Sequence, residues 1–512
     1  LRPLASDLAA SVKERFAAPL IGGAFGGGKG RAIFNPADHG QQVGSVVEAT
    51  AADVDRAAAL AAAAAPGWDA VGAAARAACL DRAADMMEEN LAELMALCVV
   101  EAGKTTDDAL AEVREAVDFC RYYAHRGRHD FALPETLSGP TGEHNTISLH
   151  GRGVFACISP WNFPLAIFTG QVTAALAAGN AVLAKPAEQT PLIAARAVEI
   201  LHQAGIPTDV LHLLPGNGPD VGQPMIDDTR IDGVAFTGSF EVAQLINRTL
   251  AARSGPIVPL IAETGGLNAM IVDSTALPEQ VIQDAVMSAF RSAGQRCSAL
   301  RVLFVQKDIS ERLIEMLSGA VEELEVGDPA RLETDVGPVI DKDALNMLEE
   351  HARRMDAEAV KLCQARMPEN LPAGTFFAPR AYLLDGLHQL QREVFGPILH
   401  VITYGADDLD RVIGEINATG YGLTFGIHTR VETTRRYVLE RIRVGNAYVN
   451  RNMIGAVVGV QPFGGEGLSG TGPKAGGPRY LHRFACERSL SIDTTASGGN
   501  AALMSLGDDG GN

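Results

Sequence analysis

From Gly153 to Gly266 the chain repeats one rhythm: a short, buried-looking apolar run, then a turn, then a helical stretch. The apolar runs are Gly153-VFACIS, Asn180-AVLAKP, Val210-LHLLPG, Gly233-VAFTGS and Ile257-VPLIAETGG. Between them, Pro164 to Ala178, Thr190 to Ala204 and the stretch ending at Arg253 read as helices. Strands separated by helices cannot pair as hairpins; they form a parallel sheet with crossover helices, a doubly wound nucleotide-binding layout. Glycines and prolines close the strands, where such sheets bind ligands.

The flanks extend this into an α/β protein of several parts, as 512 residues require. Residues 1–31 end in GGAFGGGKGR and read as an N-terminal segment and flexible connector. Apolar spacing of three and four predicts helices from Asp53 to Gly103 and from Thr106 to about Arg126. The alternating run Asn145-TISLH predicts a hairpin arm. A second α/β segment starts at Ala269-MIVD, and from Gly445 to Pro478 the chain is glycine-rich and irregular. The expected division is a nucleotide-binding α/β part from 32–140 and 153–262, a second α/β part from 263–446, glycine-rich loops from 447–483 and a loosely held tail from 497–512. The start at Leu1 rather than Met fits a piece excised from a longer protein.

A formal charge of −19 makes nucleic acid and anionic membranes poor partners. No apolar run reaches membrane-spanning length, and no secretory signal opens the chain. Seven cysteines without a CxxC pair argue for reduced thiols in the cytoplasm and against structural zinc.

Candidate chemistry sits at the strand ends. Cys297, in SAGQRCSALR, lies between basic Arg296 and hydroxylic Ser298; it is either a nucleophile or one more small buried hydrophobe. Arg296 either lowers that thiol's pKa or supports the loop. Asn162 in PWNFP is a turn residue or a donor to a developing oxyanion. Lys185 and Glu188 in KPAEQTP are a solvated pair or hold a ribose, and the carboxylate would repel a 2′-phosphate, favouring NAD over NADP. Gly238-Ser239 opens a helix whose amides suit a pyrophosphate, although the three-glycine dinucleotide fingerprint is absent. Glu263 in ETGG is a carboxylate held by turn amides or a base tuned by partial burial.

Taken together and in this order, PWNFP, KPAEQTP, FTGS, ETGG, GQRCSA, EVFGP and PFGG resemble the aldehyde dehydrogenase superfamily over roughly residues 30–490. Glu263 and Cys297 also keep that family's usual spacing of 34 residues. Thr264 and Phe240 depart from its common pattern without removing a needed chemical group. GQRCSALR, Asn450-RNMIGAVVG, VGVQPFGGEGLSGTGPKAGGPRYL and the tail ASGGNAALMSL narrow the resemblance to the L-glutamate γ-semialdehyde (Δ1-pyrroline-5-carboxylate) dehydrogenase branch. Within that branch they point to the C-terminal modules of bifunctional proline utilization A flavoenzymes.

The resemblance implies an aldehyde dehydrogenase fold: a Rossmann-like cofactor domain, an α/β catalytic domain and a β oligomerisation arm from 141–152 and 484–494. It implies NAD-dependent oxidation of glutamate semialdehyde in proline catabolism, a homo-oligomer, and an upstream flavin-dependent proline dehydrogenase domain in the full protein. Cys297 would be the nucleophile, Glu263 the base for hydrolytic water, and Asn162 with the Cys297 amide the oxyanion hole. Ser159, Pro160, Trp161, Lys185, Glu188, Gly238, Ser239, Glu393 and Phe395 would hold NAD. Ser298 with the Gly455 and Ala456 amides would anchor the substrate carboxylate, unless Gly455-Ala456 is merely a tight turn. Phe163 and Phe463 would sandwich the aliphatic stem, and Glu112 would meet the ammonium. Other expectations left open are another small semialdehyde such as succinate semialdehyde, a CoA-acylating enzyme, which Glu263 argues against, and an inactive scaffold.

Overall fold

The computed structural model describes residues 15–494; the expected tail lies outside the described residues. Two hydrophobic cores are each built on a seven-stranded sheet. The first sheet runs in the order Leu260–Glu263, Gly233–Thr237, Val154–Ile158, Ala181–Lys185, Leu211–Leu213, Leu20–Ile21, Ala24–Phe25. Its first five strands are parallel. Val154–Ile158 and Ala181–Lys185 are buried along their whole length, because helices cover both faces. The register pairs Ile158 with Lys185 and Thr237 with Glu263, so Ser159, Lys185, Gly238 and Glu263 all lie along one C-terminal edge.

The second sheet has the order Val360–Gln364, Arg380–Leu384, Ile398–Tyr404, Val302–Gln306, Ala269–Val272, Thr424–His428, Asn446–Val449. It is parallel apart from the Val360–Gln364 edge. A third, antiparallel sheet pairs Glu143–Gly151 with Ala485–Asp493 and Glu135–Leu137, and it projects Leu137, Leu490 and Ile492 into solvent.

One expectation needs correction. The segment up to residue 31 is not wholly a connector: Arg15–Ala17, Leu20–Ile21 and Ala24–Phe25 are strands, and Ala17, Leu20 and Ile21 are buried in the first core. The helical pattern from Asp53 to Gly103 is three helices, Ala51–Ala70, Ala73–Glu89 and Leu91–Ala102. A Thr50–Asp53 capping box starts the first, and Gly103, at φ 66°, ends the third in the left-handed region. Tyr480, Leu481 and Phe484 return from the C-terminal part to pack in the first core. Among the described residues, no helix is long and apolar enough to cross a membrane and no His/Cys/Asp/Glu group could hold a metal ion.

Candidate active site

The carboxyl edge of the first sheet and the amino edge of the second meet at the loop carrying Cys297. Two cavities converge on that residue, and Cys297 and Thr264 line both. The loop is fixed from below by two side chains whose importance the sequence did not signal. Asn268, directly after ETGGL, donates from Nδ2 to the carbonyls of Cys297 (2.6 Å) and Ala299 (2.9 Å). Its Oδ1 accepts from Thr424 N at 3.2 Å. Arg301, 1% exposed, donates to the carbonyls of Gly294 (2.7 Å), Arg296 (3.1 Å) and Gly396 (3.2 Å) and to Glu393 Oε1 (3.0 Å). A buried guanidinium with its donors this well satisfied acts as a rigid bracket.

One cavity is lined by Phe163, Phe463, Ser298, Gly455, Ala456 and Glu115. Gly455 has φ 70° and nothing within 4 Å of where its Cβ would be, so the backbone there borders open space. Lys104 Nζ lies 4.2 Å from the centroid of the Phe163 ring, and the Arg296 guanidinium carbon lies 5.2 Å from it. Glu112 does not line this cavity, contrary to expectation. It is fully buried; Oε2 accepts from the amides of Leu165 (3.3 Å) and Ala166 (2.9 Å) at the start of helix Ala166–Ala177, and Oε1 pairs with Lys104 at 3.1 Å. Helix Thr106–Asp130 instead presents Glu115, one turn along. Burial, then the neighbouring Glu112, pushes the Glu115 carboxyl up to about 8.

The other cavity is lined by Pro160, Trp161, Asn162, Gly238, Ser239, Glu393 and Phe395. Trp161 meets Phe395 edge-on at 5.6 Å. Ser239 caps helix Phe240–Ala252 by accepting from Val242 N at 3.3 Å, leaving other first-turn amides for an anion. Glu393 is drawn inward: besides Arg301, its Oε2 accepts from Gly266 N at 3.1 Å. Asn162 donates from Nδ2 to Gln295 O at 3.1 Å. Lys185 and Glu188 line neither cavity. Lys185 is buried and donates to the carbonyls of Pro186 (2.9 Å) and Gly216 (2.8 Å). Glu188 is exposed, and its carbonyl accepts from Arg31 at 2.9 Å. Ser159 Oγ is buried and, among the described residues, without a partner. An orphaned hydroxyl, a capped helix N-terminus and a cleft running to Cys297 fit a dinucleotide.

Electrostatically, burial raises both the thiol and the carboxyl that share the first cavity. Burial, then Glu393, Glu263 and Glu115, pushes Cys297 up to about 12. Burial pushes Glu263 up to about 8, partly offset by the Gly465 amide, which donates to Oε2 at 3.2 Å, and by Lys474. Among the described residues Glu263 Oε1 has no partner, which leaves it available to a water or a proton. Asp108 is the opposite case. Burial raises it, but Arg296, Arg291 and Lys104 outweigh burial and hold it well below the usual carboxylate range.

The profile described as "Aldehyde dehydrogenase family" matches residues 26–489. The bifunctional protein PutA of Escherichia coli K12 is 52% identical over 497 residues, 95% of this chain and 37% of that protein. The chain therefore spans little more than a third of such relatives. The 1-pyrroline-5-carboxylate dehydrogenase of Geobacillus kaustophilus is 37% identical over 455 residues, 87% of each chain. Among solved structures, 1-pyrroline-5-carboxylate dehydrogenase from Thermus with bound NAD superposes with a TM-score of 0.91 at 33% identity, covering 96% of this chain and 95% of that one.

Proposed function

The chain belongs to the aldehyde dehydrogenase family, and on that premise we propose that it oxidises L-glutamate γ-semialdehyde, the open form of Δ1-pyrroline-5-carboxylate, to L-glutamate with NAD in proline catabolism. The observation that carries this reading is the position of Cys297, at the junction of a dinucleotide-like cleft and a cavity with the complement of an amino-acid aldehyde. In that cavity Ser298 and the Gly455 and Ala456 amides face an α-carboxylate. Phe163 and Phe463 flank the methylene stem. Glu115 takes the place expected of Glu112 beside the ammonium.

NAD, when bound, accepts the hydride. Ser239 and the first turn of helix Phe240–Ala252 hold its pyrophosphate; Pro160, Trp161, Glu393 and Phe395 line its nicotinamide end. Ser159, Lys185 and Glu188 serve the adenosine side. Cys297 gives up its proton to solvent and adds as thiolate to the aldehyde carbon. The amide of Asn162 and the Cys297 main-chain NH stabilise the oxyanion. After hydride departure the acyl group remains on sulfur as a thioester. Glu263 then takes a proton from water, hydroxide adds to the acyl carbon, and the thiolate leaves as the acid is released.

The arm from 143–151 and 485–493 is proposed to be covered by a second copy, which accounts for its exposed Leu137, Leu490 and Ile492. In a longer protein like its bifunctional relatives, a flavin-dependent proline dehydrogenase domain would precede it. Seven free thiols suit the cytoplasm. The test compares kcat/KM for glutamate γ-semialdehyde and succinate semialdehyde with NAD. The amino-acid aldehyde is expected to be preferred by about 100-fold or more, since losing the ammonium leaves Glu115 unpaired. Equal values would rule out the assignment.

A further inference from the structure

The loop before Cys297 holds three consecutive residues in the left-handed region: Ser292 (φ 56°), Ala293 (φ 53°) and Gly294 (φ 64°). Glycine adopts this freely, but Ser292 and Ala293 carry a Cβ that crowds the chain there. At Gly294 a Cβ would lie 2.3 Å from Gly396 O, so the backbone approach there excludes any larger residue. Strained segments persist only where their surroundings over-determine them.

A single carboxylate from the other core gathers this segment. Asp108, on helix Thr106–Asp130, is 1% exposed. Its Oδ1 accepts from Arg291 Nε at 2.7 Å and Arg296 Nη2 at 2.6 Å. Its Oδ2 accepts from Ser292 Oγ at 2.9 Å and Thr105 Oγ1 at 3.1 Å. Arg296 Nε in turn donates to Ser292 Oγ at 3.1 Å. The residue before the strained stretch, the first residue within it and the residue before Cys297 thus all converge on one anion. Arg296 also lines the aldehyde cavity and faces the Phe163 ring.

We propose that Asp108 is a positioning residue for the nucleophile: it clamps Arg291, Ser292 and Arg296 so that the left-handed segment holds Cys297 and the Phe163 wall in register with the aldehyde. This rests on Cys297 being the nucleophile. Arg296, whose role the sequence left open, is the arm through which the clamp reaches the cavity.

The test uses the full chain carrying Asp108→Asn, with single-turnover NADH formation, aldehyde KM and NAD Kd measured separately. Single-turnover rate is expected to fall about tenfold or more, as for other small misplacements of a reacting group, with NAD Kd unchanged. Ala293→Gly added to Asp108→Asn removes the left-handed crowding at that position, and is expected to recover about threefold or more of the rate. Wild-type rates in Asp108→Asn, a parallel loss of NAD binding, or no recovery with Ala293→Gly would each overturn the proposal. If Asp108→Asn does not fold, Ser292→Ala removes the Arg296–Ser292–Asp108 link without touching a charge. A slowed single turnover then supports the clamp and an unchanged one overturns it. The two layers separate cleanly: an active Cys297→Ala defeats the nucleophile assignment, whereas an inert Cys297→Ala beside an unperturbed Asp108→Asn defeats only the clamp.

Discussion

At the scale of single residues, burial raises the pKa of both Cys297 and Glu263. Glu263 works as a base only once ionised, and its carboxyl is pushed up to about 8. Acid release is therefore expected to be slow below that pH and to rise through it, reaching a plateau above. Steady-state rates between pH 6 and 9.5 check this, and a flat profile across the window would contradict the role. That Cys297, Glu263 and Asn162 gather at adjoining cavities was legible in the sequence because their motifs have fixed neighbours and fixed spacing. Glu112 was misread for a physical reason. Asp108, Glu112 and Glu115 share one stripe of a helix at intervals of four and three, and spacing alone cannot tell which faces a cavity. Packing decides it: Glu112 is captured by the Leu165 and Ala166 amides, and Glu115 is left to the cavity.

At the scale of elements, the site depends on where strands stop. Five parallel strands of the first sheet end together, and Ser159, Gly238 and Ser239 follow directly past them. Helix Phe240–Ala252 begins at this edge, and Ser239 both caps it and lines the cleft. Ser239→Ala is expected to cost about 1 kcal/mol of stability, as lost N-caps do, and to weaken NAD binding with little change in aldehyde KM. Thermal unfolding and NAD titration measure the two effects. The apolar strands were readable as continuous buried runs. Arg15–Ala17, Leu20–Ile21 and Ala24–Phe25 were not: strands of two or three residues carry no period, and Leu20 pairs with Leu213 far along the chain. Asn268 escaped notice likewise, since its worth lies in carbonyls some thirty residues away.

At the scale of the molecule, two cores are bridged at the loop carrying Cys297, and the antiparallel arm projects beyond them. Replacing Leu490 by Asp on the exposed face of the arm is expected to lower the mass seen by light scattering; an unchanged mass would place the subunit contact elsewhere. The central claim is that turnover passes through an acyl group on Cys297. The direct measurement is intact-peptide mass spectrometry of Glu263→Gln after mixing with NAD and glutamate γ-semialdehyde. The expected result is a glutamyl adduct on the Cys297 peptide, formed in step with one equivalent of NADH, while acid release falls by about a hundredfold or more. NADH formed with no adduct on that peptide would contradict the account.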